Sequence, residues 1–331
     1  MTNPSSMPDN RLSNQEFHIE ANAPMSQSVP TPAPPAPAGA GRGFWSLVIL
    51  QFQGALSDNI FRISLMLMAS SILTDSSAQF GKYNALLGML FPISYLLFSV
   101  WAGFLADRYS KRTVTLATKL AEVVLMLLAV GAFLSVGNLE TATPRSLALP
   151  TVVLFLMFSQ SAFFSPAKYA IIPELVPEHR LGWANGVIGL WTYLAIILGA
   201  TVATGLVPLL KPNLLTGIPM LLVVLAVVGY VIGLRIARVP AANPQRPILT
   251  NPLPELRGYF GVIFKDRALT LTVLGLAYFW ALGSVLLVHV LVWSRDSMGY
   301  GDQGQGAHFL LLALGIGIGS ALAGALSRNR I

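Results

Sequence analysis

The sequence predicts an all-α, polytopic membrane protein. Hydrophobic residues make up 54% of its 331 positions and charged residues only 11%, whereas soluble domains contain roughly 25% charged residues. The mean hydropathy is +0.65. The basic residues behind the net charge of +7 lie mainly in loops between long apolar stretches. This placement argues against a nucleic-acid-binding protein and favours a bundle of membrane-spanning helices.

Eight apolar stretches are long enough to cross a bilayer as helices. They lie near residues 44–73, 83–106, 114–137, 148–169, 184–208, 217–235, 268–293 and 306–326. Most of the 21 Lys and Arg residues fall on one side of these spans if the N-terminus is cytoplasmic. Because basic residues concentrate in cytoplasmic loops, the sequence predicts that orientation.

Residues 1–43 have a different composition, rich in Pro, Ala, Ser and Asn, with the proline run Pro30–Pro37. Such a segment cannot bury enough apolar surface to become ordered, so we predict a disordered cytoplasmic tail. It contains no apolar core of a signal peptide, and the first span is therefore expected to act as an uncleaved insertion signal.

The first predicted span carries charges in its middle. Asp58 and Arg62 lie one helical turn apart, and Gln51 precedes Asp58 by seven residues, so all three share one face. A charge at that depth costs roughly 3 kcal/mol or more unless it is paired or lines a wet cavity. We predict that this face lines a central pathway. The alternative is a structural ion pair that holds two helices in register.

A second charged pair, Lys119 and Glu122, lies in the third predicted span. A spacing of three residues lets the two side chains pair along one helix face. We predict a structural pair, and a proton-carrying role is the alternative.

The loop between the second and third spans has a glycine, three residues, an Asp-Arg pair and then a basic pair. These residues are Gly103, Asp107, Arg108, Lys111 and Arg112. The cations are expected to contact the anionic cytoplasmic leaflet, and the small Gly to permit a tight turn. A merely basic cytoplasmic loop would not explain Gly103 and Asp107.

This loop resembles the signature loop of the major facilitator superfamily, with Ser110 at the place of the usual second glycine. The resemblance implies that these five residues form a conformational latch between two lobes. It also implies a helical bundle with a six-helix lobe at 44–235. A cytoplasmic linker with an amphipathic helix would follow at 236–267. The first two helices of a second lobe would occupy 268–331, in a chain truncated relative to twelve spans.

The fourth and fifth predicted spans are joined by a proline-containing block that includes Lys168. Pro166 is expected to kink or free the end of the fourth span. Lys168 is then expected to reach the headgroup level, where it could meet a phosphate. Pro173 and Pro177 are expected to build a short turn before the fifth span.

The run Ser165–Tyr169, with the later Pro-Glu-Leu and Ala-Asn-Gly triplets, resembles the bacterial lysophospholipid transporter family within this superfamily. Gln51-Phe52, Ala55 and Asp58-Asn59 strengthen the resemblance, as do Phe279-Trp280 and Trp293. It implies transport of a lysophosphatidylethanolamine-like lipid across the bacterial inner membrane by alternating access. Together with the charges of the first span, it predicts Gln51, Asp58, Asn59, Arg62 and Lys168 as substrate-binding residues.

No feature of the sequence predicts an enzyme, a cofactor or a metal site. Cysteine is absent, and the four histidines have no metal-ligand spacing. Expected partners are membrane lipids, the lipid substrate and an acyltransferase, fused or separate, but not nucleic acid. One alternative function is a polyspecific exporter of amphiphilic drugs, in which Asp58 carries a proton. Another is a non-transporting membrane anchor for an acyltransferase.

Overall fold

The computed structural model describes residues 40–73, 77–209 and 214–296, with the single positions 311, 315, 318, 319 and 322. Residues 1–39 of the predicted tail and most of the predicted eighth span lie outside the described residues. The helices that correspond to the first six predicted spans are α1 (Ala40–Ile72), α2 (Ser77–Arg108), α3 (Lys111–Leu134), α4 (Ala148–Leu175), α5 (Leu181–Leu209) and α6 (Leu214–Gly233). An amphipathic helix, α7 (Pro252–Lys265), precedes α8 (Arg267–Asp296), which covers the predicted seventh span.

The described residues contain no strand, so the all-α prediction is confirmed. Among them, five helices, α2 to α6, are long and apolar enough to cross a membrane. Helix α1 is equally suitable in length, with 33 residues, but it carries polar residues such as Gln51, Asp58 and Arg62. The chain is therefore a multi-pass membrane protein whose first helix is its most polar long helix.

The prediction that Pro166 frees the end of the fourth span is wrong. Helix α4 continues through both Pro166 and Pro173 to Leu175. The chain then turns before a short 3₁₀ helix, Glu178–Arg180. Neighbouring helices and polar side chains can compensate for the hydrogen bond that a proline removes from a membrane helix. As a result, Lys168 stays on a regular helix and is only 6% exposed, instead of reaching the headgroup level.

Helix α1 lies at the centre of the packing and contacts α5, α6 and α4, while α2 packs on α4 and α3 packs on α4 and α6. The largest apolar cluster combines Phe61 of α1 with Phe133 of α3, whose ring centroids are 5.3 Å apart. Met157 of α4 and Leu222 of α6 complete its centre. The side chains of α1 are therefore held from several directions.

The contact between α1 and α5 depends on Gly199. A Cβ atom at this position would lie 2.8 Å from the Cβ of Asn59 and 2.8 Å from the carbonyl oxygen of Leu56. Small residues allow two membrane helices to approach this closely. Gly199 therefore fixes the distance between α5 and the polar segment of α1.

We predict that Gly199→Ala lowers the stability of the protein in detergent, because the added methyl group forces α5 away from α1. Overpacking of this kind costs roughly 1–3 kcal/mol. Thermal unfolding of the purified protein measures the effect. The control is Gly189→Ala on the same helix, where an added Cβ meets nothing within 4 Å. Equal unfolding temperatures for the two variants would contradict the proposed contact.

Candidate functional site

A cavity of about 330 Å³ is enclosed mainly by α1, α2, α4 and α5. The polar or charged side chains that line it are Gln51, Asp58, Asn59, Arg62, Tyr95, Lys119, Gln160, Ser161, Lys168 and Thr192. All five residues implied as substrate-binding by the sequence are in this set. The cavity lies near the middle of the helices that line it. On α1, for example, the lining residues run from Gln51 to Arg62.

Helical periodicity explains why these residues meet. On α1, the positions that line the cavity recur at intervals of three, four or seven residues, and on α4 Ser161 precedes Lys168 by seven. Asn59 also lines the cavity, although its amide nitrogen donates to the carbonyl oxygen of Ala55 at 2.8 Å. One face of α1 is thus turned towards one face of α4.

Asp58 and Arg62 do not form the structural ion pair that was the alternative reading of their spacing. The Oδ2 atom of Asp58 accepts a hydrogen bond of 3.0 Å from the hydroxyl of Ser161. Within the part of the chain that the structure describes, neither residue has an oppositely charged partner within 4.0 Å. Both charged groups lie at the wall of the cavity.

Lys168 is held in the cavity by an uncharged partner. Its Nζ atom donates to Oε1 of Gln51 at 3.0 Å and lies 4.3 Å from the centroid of the Tyr169 ring. The Nε2 atom of Gln51 in turn donates to the hydroxyl of Thr192 at 3.0 Å. This chain of hydrogen bonds joins α4, α1 and α5, and it orients the ammonium group without neutralising its charge.

Lys119 and Glu122 form the predicted ion pair, with a distance of 2.7 Å between Nζ and Oε2. Their side chains are only 1% and 2% exposed. Gln53 of α1 completes the pair because its Oε1 accepts from Lys119 at 2.9 Å and its Nε2 donates to Glu122 at 2.7 Å. The Lys119–Glu122–Gln53 network therefore ties α1 to α3.

Two glycines make room for this network. A Cβ at Gly229 of α6 would lie 2.3 Å from Oε1 of Gln53, and a Cβ at Gly54 would lie 3.1 Å from Nζ of Lys119. Lys119 also lines the cavity, but Glu122 neutralises its charge. Asp58, Arg62 and Lys168 are the lining charges without an ion-pair partner among the described residues.

The predicted latch loop contacts the segment that follows α6. Oδ2 of Asp107 accepts from Arg246 at 2.5 Å, and its carbonyl oxygen accepts from the backbone N–H of Asn243 at 2.8 Å. Arg108 donates to the carbonyl oxygen of Arg246. Arg246 also donates to Glu255 of α7 at 2.9 Å. It therefore joins the loop to the amphipathic helix.

The remaining cations of this loop also bind protein groups instead of being left exposed for lipid. Lys111 pairs with Glu174 of α4. Arg112 donates to the carbonyl oxygens of Ile236 at 2.7 Å and Leu234 at 3.1 Å. A Cβ added to Gly103 would meet nothing within 4 Å, so this conformation does not require a glycine at that position.

Sequence reasoning did not identify Ser161, Thr192 or Arg246. Ser161 lies seven residues before Lys168, which is about two helical turns. This spacing places both side chains on one face of the helix, so the position of Lys168 could have predicted the role of Ser161. The sequence gives no such signal for Thr192 and Arg246, because their hydrogen-bond partners, Gln51 and Asp107, lie 141 and 139 positions away. Only the packing of α5 and the path of the linker bring them into place.

Comparison with known proteins identifies the group to which these features belong. The family model described as Major Facilitator Superfamily matches residues 47–331. The lysophospholipid transporter LplT of Salmonella arizonae is 27% identical over 311 residues, which cover 91% of this chain and 69% of that protein. The corresponding transporters of Serratia proteamaculans and Klebsiella pneumoniae are 25% and 26% identical, with 85% and 91% of this chain aligned. Those alignments cover 65% and 70% of the two relatives, so the chain spans about two thirds of their length.

We predict that Glu122→Gln destabilises the protein, because it leaves the ammonium group of Lys119 buried without a counter-charge. Breaking a buried pair from one side costs about 3–5 kcal/mol, whereas replacing both members by apolar residues is often neutral. The double variant Lys119→Met, Glu122→Met should therefore unfold at a higher temperature than Glu122→Gln alone. Glu140→Gln, at an exposed position, is the control. A double variant that is no more stable than the single one would contradict a purely structural pair.

We also predict that Arg246→Gln loosens the linker and α7, because it removes the ion pairs to Asp107 and Glu255 together. Backbone hydrogen exchange of residues 236–265 should become severalfold faster, while exchange in α3 and α4 stays unchanged. Arg238→Gln removes the same charge from an exposed side chain in the same segment and should have no effect. If the two variants exchange alike, Arg246 does not hold the linker.

Proposed function

The chain belongs to the major facilitator superfamily, and from this membership and the charges in its cavity we propose that it transports lysophospholipids across a membrane. The relatives named lysophospholipid transporter support this substrate class. The observation that carries the proposal is a set of three charged residues on the wall of one cavity, Asp58, Arg62 and Lys168, which have no ion-pair partner among the described residues.

Charges in a membrane-embedded site need a counter-charge, and here the ligand supplies it. A lysophosphatidylethanolamine headgroup has one phosphate and one ammonium group. The phosphate is complementary to Arg62 and Lys168, and the ammonium group to the carboxylate of Asp58. Ser161 and Gln51 keep Asp58 and Lys168 at the cavity wall through hydrogen bonds of 3.0 Å each.

The size of the cavity supports a site for the headgroup. About 330 Å³ is near the lower end of small-molecule sites, which occupy roughly 300–1,000 Å³. Such a volume suits a polar headgroup, while the acyl chain extends beyond it. Aromatic residues on one side, Phe91, Tyr95 and Phe158, give that part of the cavity an apolar wall.

We place the protein in the bacterial inner membrane with a cytoplasmic N-terminus, as the distribution of Lys and Arg favours. The five latch residues, Gly103, Asp107, Arg108, Lys111 and Arg112, would control the alternation of the cavity between the two sides. The product, a lysolipid in the inner leaflet, is the acceptor substrate of an acyltransferase. An enzyme of that class is therefore the partner that we propose.

The proposal predicts that each charged residue recognises a different part of the headgroup. Asp58→Asn should lower uptake of lysophosphatidylethanolamine about tenfold or more, since a charge-assisted hydrogen bond contributes roughly 1.5–3 kcal/mol. It should lower uptake of lysophosphatidylglycerol, which has no ammonium group, much less. Arg62→Gln and Lys168→Gln should lower uptake of both lipids. Uptake of labelled lipids into spheroplasts of cells that express each variant at equal levels measures these effects.

The control variants Glu140→Gln and Lys82→Gln remove charges of the same signs at positions outside the cavity, and uptake of both lipids should stay at the parent level. Uptake that is unchanged by all three cavity variants would reject the headgroup site. Efflux of cationic amphiphilic drugs that depends on Asp58, without any lysolipid uptake, would instead identify a drug exporter. Absence of all transport would point to a membrane anchor.

A further inference from the structure

We propose that α7 is a docking surface for acidic phospholipids on the cytoplasmic face of the bilayer. Arg257 and Lys265 of α7, together with Arg267 at the start of α8, would contact their headgroups. This inference is independent of the transported substrate and would hold for another cargo. It rests on the exposed apolar face of α7, on the state of its charged residues and on its attachment to the rest of the protein.

One face of α7 is apolar and uncovered. Leu253, Leu256, Phe260, Ile263 and Phe264 fall within about 100° around the helix axis, at ~100° per residue. Leu253 is 63% exposed and Phe264 is 67% exposed. Among the residues that the structure describes, α7 has its main contacts with the following helix, α8, and with the end of α2. The face is therefore available to a lipid bilayer, which has an apolar interior below a polar surface.

The charged residues of α7 and of its junction with α8 fall into two groups. Both acidic residues are already engaged: Glu255 accepts from Arg246 at 2.9 Å, and Asp266 accepts from the backbone N–H of Ala268 at 2.8 Å. Arg257, Lys265 and Arg267 are exposed. None of the three side chains has a hydrogen bond or an ion pair within the described ranges. The surface that α7 offers is consequently cationic.

The three cations of the predicted latch contrast with those of α7. Arg108, Lys111 and Arg112 were expected from the sequence to contact the anionic leaflet, but they bind backbone carbonyl groups or Glu174. A set of exposed cations beside an apolar helix face is complementary to a bilayer that contains acidic headgroups. A purely apolar protein surface would match the apolar face but not the three cations.

Two attachments orient α7 for this contact. Arg246, which is bound to Asp107 in the last turn of α2, holds Glu255 near the start of α7. At its other end, Asp266 caps the N-terminus of α8 through Ala268 and Leu269. Lipid bound to α7 is therefore connected through Arg246 to the loop that contains the predicted latch residues.

The absence of cysteine from the chain allows a direct test with single labels. Phe260→Cys places a polarity-sensitive fluorophore on the apolar face, and Gly258→Cys places it about 160° away on the opposite face. Both proteins are reconstituted as whole chains in nanodiscs of phosphatidylcholine alone or mixed with phosphatidylglycerol. We expect the label at 260 to report an apolar environment that deepens with phosphatidylglycerol and weakens with salt. The label at 258 should remain in water.

The triple variant Arg257→Gln, Lys265→Gln, Arg267→Gln should remove the response to phosphatidylglycerol. Each lost charge lowers the affinity of the helix for acidic lipid by about fivefold. Its control, Arg180→Gln, Arg235→Gln, Arg238→Gln, removes three exposed cations from other cytoplasmic segments and should keep the response. The proposal is overturned if the label at 260 responds equally to both lipid mixtures, or if the two triple variants behave alike.

Discussion

The fold depends on the pairing of charged side chains in the membrane interior, where water is scarce. The Lys119–Glu122–Gln53 network is almost completely buried, and each member satisfies the others. Because an unpaired charge in a membrane interior is costly, the side chains of α1 and α3 must keep the positions that complete this network. Gly54 and Gly229 leave the space that it needs. The register of α1, once fixed here, determines where Asp58 and Arg62 point.

The same physical constraint gives the cavity its chemical character. Asp58 and Lys168 are hydrogen-bonded to uncharged partners, the Ser161 hydroxyl and the Gln51 amide, and Arg62 lies beside them on the cavity wall. They differ from Lys119, whose charge is neutralised within the protein. The contrast separates a pair that holds helices together from groups that remain available to a ligand. A zwitterionic or anionic phosphate-containing headgroup is the class of ligand that complements them.

On the cytoplasmic side, the connections between helices are held by side-chain hydrogen bonds to backbone carbonyl groups. Ser110, Arg108 and Arg112 all bind carbonyl oxygens of the segment that follows α6. Arg246 then extends this attachment to α7. The predicted latch, the linker and the amphipathic helix consequently form one connected unit, in which a change at the bilayer surface can reach the α2–α3 loop.

The sequence by itself determined the all-α membrane fold, the positions of the first seven predicted spans within about six residues, the polar face of α1 and the Lys119–Glu122 pair. Each of these follows from periodicity or spacing along a single helix. Only the tertiary structure decided that Lys168 lies in the cavity, that Ser161 and Thr192 complete the hydrogen bonds there, and that Arg246 binds Asp107. These outcomes depend on how each helix is rotated against its neighbours. The rotation of a helix about its axis is set by close packing at residues such as Gly199 and by the pairing of buried charges. Neither can be derived from the order of residues along one helix.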